Sequence, residues 1–165
     1  MKLLCLVATA LFALLPTASA QIAVYAGFSG AHLSPASDSY TTIYGPLVGV
    51  YAQSGHFLAI GGDVRGSFLS KDNIQYYTGA AGPRIAFKPL ILPIKPYAEA
   101  LIGVASYNSG TSSNTTHLNY QLLGGVDATI FPHIDWRVIE FNYSALVNDS
   151  VNVKTLTTGL VLRLW

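Results

Sequence analysis

Seven ionisable side chains, Asp63, Arg65, Arg84, Glu99, Asp127, Glu140 and Arg163, stand inside apolar, alternating stretches such as "GGDVRGSF", "PYAEALIGVA" and "TGLVLRLW". Carboxylates and guanidinium groups placed in this way could move protons, hold a cation or pair with one another. Catalytic work would need a nucleophile or metal within reach, and the chain has no phosphate loop and no nucleophile elbow. The histidines add little, because His32, His56, His117 and His133 fall near connections with no carboxylate at metal-ligand spacing. The expectation is no catalytic residue, no cofactor and no metal, and charges that neutralise each other, since buried charges are normally paired.

The end of the chain shows what kind of element must carry these groups. In "LTTGLVLRLW" the residues Leu156, Leu160, Leu162 and Leu164 share one parity, and Thr155, Thr157, Gly159, Val161 and Arg163 share the other. Such alternation predicts a strand whose two faces meet different surroundings. Turn signals divide the chain into eight such segments, 21–33, 42–53, 57–69, 74–88, 95–107, 117–131, 134–147 and 150–165. Each is long enough for the about 9–11 residues of a tilted membrane-crossing strand. The connections alternate: "SPASDSYT", "SKDN", "YNSGTSSNTT" and "NDS" are polar, whereas "QSG" and "PHI" are tight and "PLILP" is a proline-bounded apolar corner. Polar loops at one end and short turns at the other are the mark of an outer-membrane barrel.

Composition agrees. Charged residues are 10% of the chain, against about 25% in ordinary soluble domains. The first twenty residues, "MKLLCLVATALFALLPTASA", read as a cleaved secretory signal with an Ala-Ser-Ala cleavage site. The lone cysteine, Cys5, would leave with it. Removing Lys2 takes the nine basic residues to eight, against eight acidic ones, so residues 21–165 carry no formal net charge. This argues against nucleic acid as a partner. The mature part is the size of one domain.

On "VYAGFS", "YGPLVGVYA", "GGDVRGSF", "PYAEALIGVA", "GGVDATI", "WRVIEFNYSAL" and "TGLVLRLW", residues 21–165 resemble the small eight-stranded outer-membrane β-barrels, of the OmpA-like and OmpX-like kind. The resemblance implies an all-β fold, an eight-stranded antiparallel up-and-down transmembrane β-barrel. It also implies a place in the bacterial outer membrane with both termini periplasmic, and as partners outer-membrane lipids and the barrel assembly machinery. The family's C-terminal aromatic residue lies at membrane-facing parity. Trp165 is aromatic but falls on the other parity, with Leu164 in its place.

Parity then assigns the faces. Outward fall Ile22, Val24, Ala26, Phe28, Val48, Val50, Ile60, Val64, Ile85, Phe87, Ile102, Val104, Leu122, Val126, Ile130, Ile139, Phe141 and Tyr143. The other face holds eight glycines, Gly27, Gly45, Gly49, Gly61, Gly82, Gly103, Gly125 and Gly159, and the seven charges. A basic residue facing lipid at the midplane would cost about 2–4 kcal/mol, so the charged face is the lumen. Tyr44, Tyr77, Tyr120, Phe68, Phe57 and Trp136 fall near strand ends, where aromatic girdles sit. Within the lumen, folding about the "PLILP" corner sets Arg84 opposite Glu99. The next hairpin sets Asp127 beside Glu140, with Arg65 or Arg163 reaching across to them. The function expected is structural or surface-interacting, through the loops and around a plugged lumen. Two alternatives are a soluble lipocalin-like barrel with its apolar face inward and a lipid A-modifying enzyme. The latter would need a histidine-x-serine-asparagine pattern, but "HLSPA" at His32 stops short of the asparagine and "FNYSAL" has no histidine.

Overall fold

The computed structural model describes residues 20–34, 41–72, 74–89, 92–108, 115–147 and 152–164. Residues 1–19, which make up nearly all of the expected signal 1–20, lie outside the described residues, as do Trp165 and most of the polar connections. Eight strands follow in order: β1 (Gln21–Ser34), β2 (Thr41–Ser54), β3 (Leu58–Lys71), β4 (Ile74–Phe87), β5 (Ile94–Asn108), β6 (Thr115–Phe131), β7 (Ile134–Leu146) and β8 (Asn152–Arg163). Each pairs antiparallel with its sequence neighbours, and β8 closes onto β1 with Gly27 opposite Gly159. Closure leaves no sheet edge, so every strand can satisfy its backbone groups against a neighbour, as a membrane-crossing sheet must. The strands match the expected segments to within a few residues at each described end.

Alternation decides the two faces almost everywhere. Along β3 the outward Ile60, Val64 and Phe68 are exposed, while Ala59, Asp63, Arg65 and Leu69 between them are buried. Of the outward residues expected, Val126 and Tyr143 are half-buried and the others are exposed. An apolar surface that would be untenable in water is what hydrocarbon requires. Aromatic rings mark both rims. Tyr44, Phe68, Tyr77 and Tyr120 are exposed towards the loop end, and Phe57, Phe87, Phe131 and Trp136 towards the turn end. The rings of Phe57 and Phe87 meet edge to face at 4.3 Å.

The turns at the end that carries both termini are short and conformationally demanding. Gly55 has φ of 128°, a value open to glycine alone without strain, and its position follows directly on β2. His133, with φ of 73°, turns the chain between β6 and β7. These positions give His133 a turn-forming role.

The alternation breaks at the turn end of β6, where Ile130 and Phe131 are both exposed, and more consequentially in β7. Opposite β8, Arg137 pairs with Gly159 and Glu140 with Thr157, so Val138 and Ile139 together face the single residue Thr158. This is a β-bulge, and it shifts parity along β7. Asp135 and Arg137 point inward below it, and Glu140, Asn142 and Ser144 point inward above it. The Thr158 hydroxyl donates to the Arg137 carbonyl at 3.0 Å and accepts from the Trp136 indole N–H at 3.2 Å, tying the bulge to β8.

Candidate functional site in the barrel lumen

The lumen is layered. At its centre three guanidinium groups and three carboxylates alternate in a closed ring. Arg65 Nη2 donates to Glu99 Oε2 at 2.9 Å, and Glu99 also accepts from Arg84 Nη1. Arg84 Nη2 reaches Asp127 Oδ2 at 3.2 Å, and Asp127 Oδ1 accepts from Arg137 Nε at 3.1 Å. Arg137 Nη1 donates to Glu140 Oε2 at 3.0 Å, and Glu140 closes the circuit by a two-pronged pair with Arg65 at 2.7 and 3.2 Å. Asp63 hangs from the ring, taking Arg65 Nε at 3.2 Å and the Tyr25 hydroxyl at 2.8 Å. All seven of these residues are buried.

Such a ring stands only if each charge is met by opposite charge and by several hydrogen bonds. Bringing ions out of water costs several kcal/mol apiece, and only multiple charge-assisted bonds offset it. Glu140 accepts four hydrogen bonds, the fourth from the Tyr97 hydroxyl at 2.6 Å. Aromatic faces add to the solvation of the cations, including Arg137, whose buried Nη2 has no hydrogen-bond partner among the described residues. Arg84 lies 4.2 Å from the centre of the Tyr51 ring and 3.9 Å from that of Tyr97. Arg137 lies 4.1 Å from that of Tyr25. Each such contact is worth about 2 kcal/mol when desolvated.

Glycines make room for this arrangement. Tyr25 stands opposite Gly49 and Tyr97 opposite Gly125 across their strand pairs. A Cβ on Gly125 would fall 2.6 Å from the Tyr97 hydroxyl oxygen, and one on Gly49 would strike that of Tyr25. The tyrosine lies over its glycine partner and so brings its hydroxyl to a carboxylate.

The other layers are simpler. Above the ring, Asn119, Ser144 and Tyr76 bond to one another, and Asn119, Gln121 and Asn142 form a chain at 3.0 and 2.9 Å. Towards the loop end Ala31, Ile43, Leu69, Tyr76, Ala105, Leu146 and Val153 form an apolar cluster inside the barrel. At the turn end Asp135 takes Lys95 at 2.9 Å and Arg163 at 3.1 Å. Lys88 donates to Gln21 there at 2.8 Å. Burial, then Lys95 and Arg163, lowers the basicity of the Lys88 amine.

Of the seven residues singled out by sequence, six sit in the central cluster: Asp63, Arg65, Arg84, Glu99, Asp127 and Glu140. Arg163 does not; it joins Asp135 near the turns. Arg84 stands opposite Glu99 in register. The juxtaposition of Asp127 with Glu140 needs correction. Gly125 faces Glu140 and Arg137 faces Asp127, so an arginine separates the two carboxylates. Sequence reasoning missed Arg137, Asp135, Lys95 and the inward tyrosines. The signal was there in "DWRVIEFN". Asp135, Arg137 and Glu140 cannot all face inward in an unbroken strand, and a charge in lipid costs enough to force a bulge. Among the described residues no group of three or more His, Cys, Asp or Glu could hold a metal ion.

The sequence matches no protein-family model and no curated protein. Solved structures do match its fold. Neisserial surface protein A is 18% identical with a TM-score of 0.69, over 88% of this chain and 99% of that one. The attachment invasion locus protein Ail of Yersinia pestis is 16% identical with a TM-score of 0.65, over 88% and 99%. The N-terminal β-barrel domain of Pseudomonas aeruginosa OprF is 9% identical with a TM-score of 0.52, over 87% and 100%. With its apolar outer belt and closed antiparallel sheet, the chain has the fold of the small eight-stranded outer-membrane β-barrels.

Proposed function

We propose that the protein is a non-enzymatic barrel of the bacterial outer membrane whose lumen is a plug and whose active part is the set of loops at the end opposite the termini. The ring of Arg65, Glu99, Arg84, Asp127, Arg137 and Glu140 carries this reading. An eight-stranded barrel is just wide enough to be filled by side chains, and here the fill is mutually bonded charge. With both termini at the short-turn end, they lie in the periplasm and the loops face outward. Outer-membrane lipids surround the belt, the barrel assembly machinery inserts it, and nucleic acid is no partner. Loops on a rigid scaffold are where binding residues collect. Ail, named for attachment and invasion, has also been seen with the heparin analogue sucrose octasulfate, and a surface-interaction role fits a barrel of this shape. A lipocalin-like carrier would need the apolar face inward, whereas here Leu122, Ile102 and Phe28 face out, each about 60% exposed, and arginines face in.

Two measurements test this. The protein is expected to fractionate with outer membranes and to change its mobility on denaturing gels when boiled; its recovery from the soluble periplasm without a heat-dependent shift would overturn the assignment. In planar bilayers no sustained conductance is expected. A steady current of general-porin size would mean that water passes the ring and that the lumen is no plug.

A further inference from the structure

Against an apolar outer surface one cation stands out. Among the described residues, Lys154 is the single Asp, Glu, Lys or Arg that a strand presents at an outward, exposed position. Its neighbours across the sheet are His32 on β1 and Tyr143 on β7. Thr42 adds a hydroxyl 3.5 Å from His32 Nδ1. The row lies within three residues of the loop-end termini of β1 and β8, at the height where hydrocarbon gives way to headgroups.

A lysine near the rim can snorkel to water without any partner. What distinguishes this one is the surface beneath it. A depression of about 370 Å³ runs along the outer face below the cation row, with Gly30 at its floor and Tyr44, Leu156 and Phe141 at its sides. It exists because Gly30 has no side chain at an outward position where its neighbours carry large ones. A Cβ there would lie 3.3 Å from the Tyr44 ring. A cation with adjacent donors above an apolar groove, all facing lipid, matches an anionic headgroup with an acyl chain attached. No outward carboxylate of the described strands competes for Lys154.

We propose that this face is a binding site for one phosphorylated, acylated lipid of the outer leaflet, with Lys154 on the phosphate and an acyl chain in the groove over Gly30. The site rests on the outer-membrane reading above for the identity of the leaflet, but its geometry does not depend on orientation. A protein-bound charge pair at the edge of hydrocarbon is less screened than one in water, which favours retention of an anionic lipid over a zwitterionic one.

The test uses the purified barrel in a neutral detergent, incubated with lipid A, with phosphatidylcholine or with inorganic phosphate, and counts retained lipid by native mass spectrometry. One lipid A is expected to remain bound, retained about tenfold more than phosphatidylcholine, a difference equivalent to about 1.4 kcal/mol. Lys154→Gln should remove that preference and Lys154→Arg should keep it. Gly30→Leu, which fills the groove and leaves Lys154 in place, should also lower retention. The heat-dependent gel shift of each variant confirms that it is folded. Unchanged lipid A retention in folded Lys154→Gln and Gly30→Leu would overturn the site, as would equal retention of phosphatidylcholine. Displacement of lipid A by inorganic phosphate alone would show a simple anion site and also overturn it. Labelling of loop cysteines on intact cells reads the orientation separately. Failure there would move the site to the inner leaflet without altering retention in detergent.

Discussion

Arg65→Ala is expected to lower the unfolding free energy of the barrel by about 3–5 kcal/mol in micelles, the cost of leaving buried charges without their partner. Arg65 is the one guanidinium that holds three carboxylates, Asp63, Glu99 and Glu140. Without it, four carboxylates of the cluster face only Arg84 and Arg137. The loss should be strongly non-additive with Glu140→Gln, because removing the negative charge takes away much of what Arg65 neutralises. The same holds for Arg84→Ala with Glu99→Ala, which stand opposite each other and form an ion pair. Denaturant unfolding of the single and double variants measures the coupling. Small effects that simply add would show the groups to be separately hydrated, and the ring would then be no energetic unit.

The second large effect comes from a residue without charge. Gly125→Val should destabilise the barrel by about 3 kcal/mol or more, as overpacking adds to the loss of a hydrogen bond to a buried carboxylate. Its side chain would occupy the place of the Tyr97 hydroxyl, which bonds Glu140 at 2.6 Å, and would displace the ring that the Arg84 guanidinium lies over. The adjacent Gly124 is an internal control. It faces outward, where a Cβ would meet only the Tyr97 carbonyl oxygen at an ordinary 3.6 Å, so Gly124→Val should change stability by about 0.5 kcal/mol or less. Equal losses at the two positions would point to a general intolerance of the strand and remove the role assigned to the tyrosine over its glycine.

Both expectations depend on features of different visibility. Strand order, closure and the facing of residues such as Ile60, Val64, Asp63 and Arg65 follow from a period of two, which any reader of the chain can count. The pairing of Arg84 with Glu99 was equally open, since the proline-bounded corner sets the register of β4 against β5. Arg137 was hidden because one extra residue in β7 reverses parity locally, and a bulge is a property of two strands, not of one. Tyr25, Tyr51 and Tyr97 were hidden for another reason. Their inward parity could be counted, but that Tyr25 and Tyr97 lie over Gly49 and Gly125 and so carry their hydroxyls to Asp63 and Glu140 depends on cross-strand partners that one strand alone does not name.

By itself, then, the sequence determined what each strand must place in lipid and what it must withhold from lipid, because the transfer cost of a charge is a property of one residue in one solvent. Only the tertiary structure decided how the withheld charges combine. The circuit from Arg65 through Glu99, Arg84, Asp127, Arg137 and Glu140 back to Arg65 joins groups from five strands. Which guanidinium meets which carboxylate is set by barrel curvature, by the β7 bulge and by the room that the glycines leave, and these distances arise only once the sheet has closed.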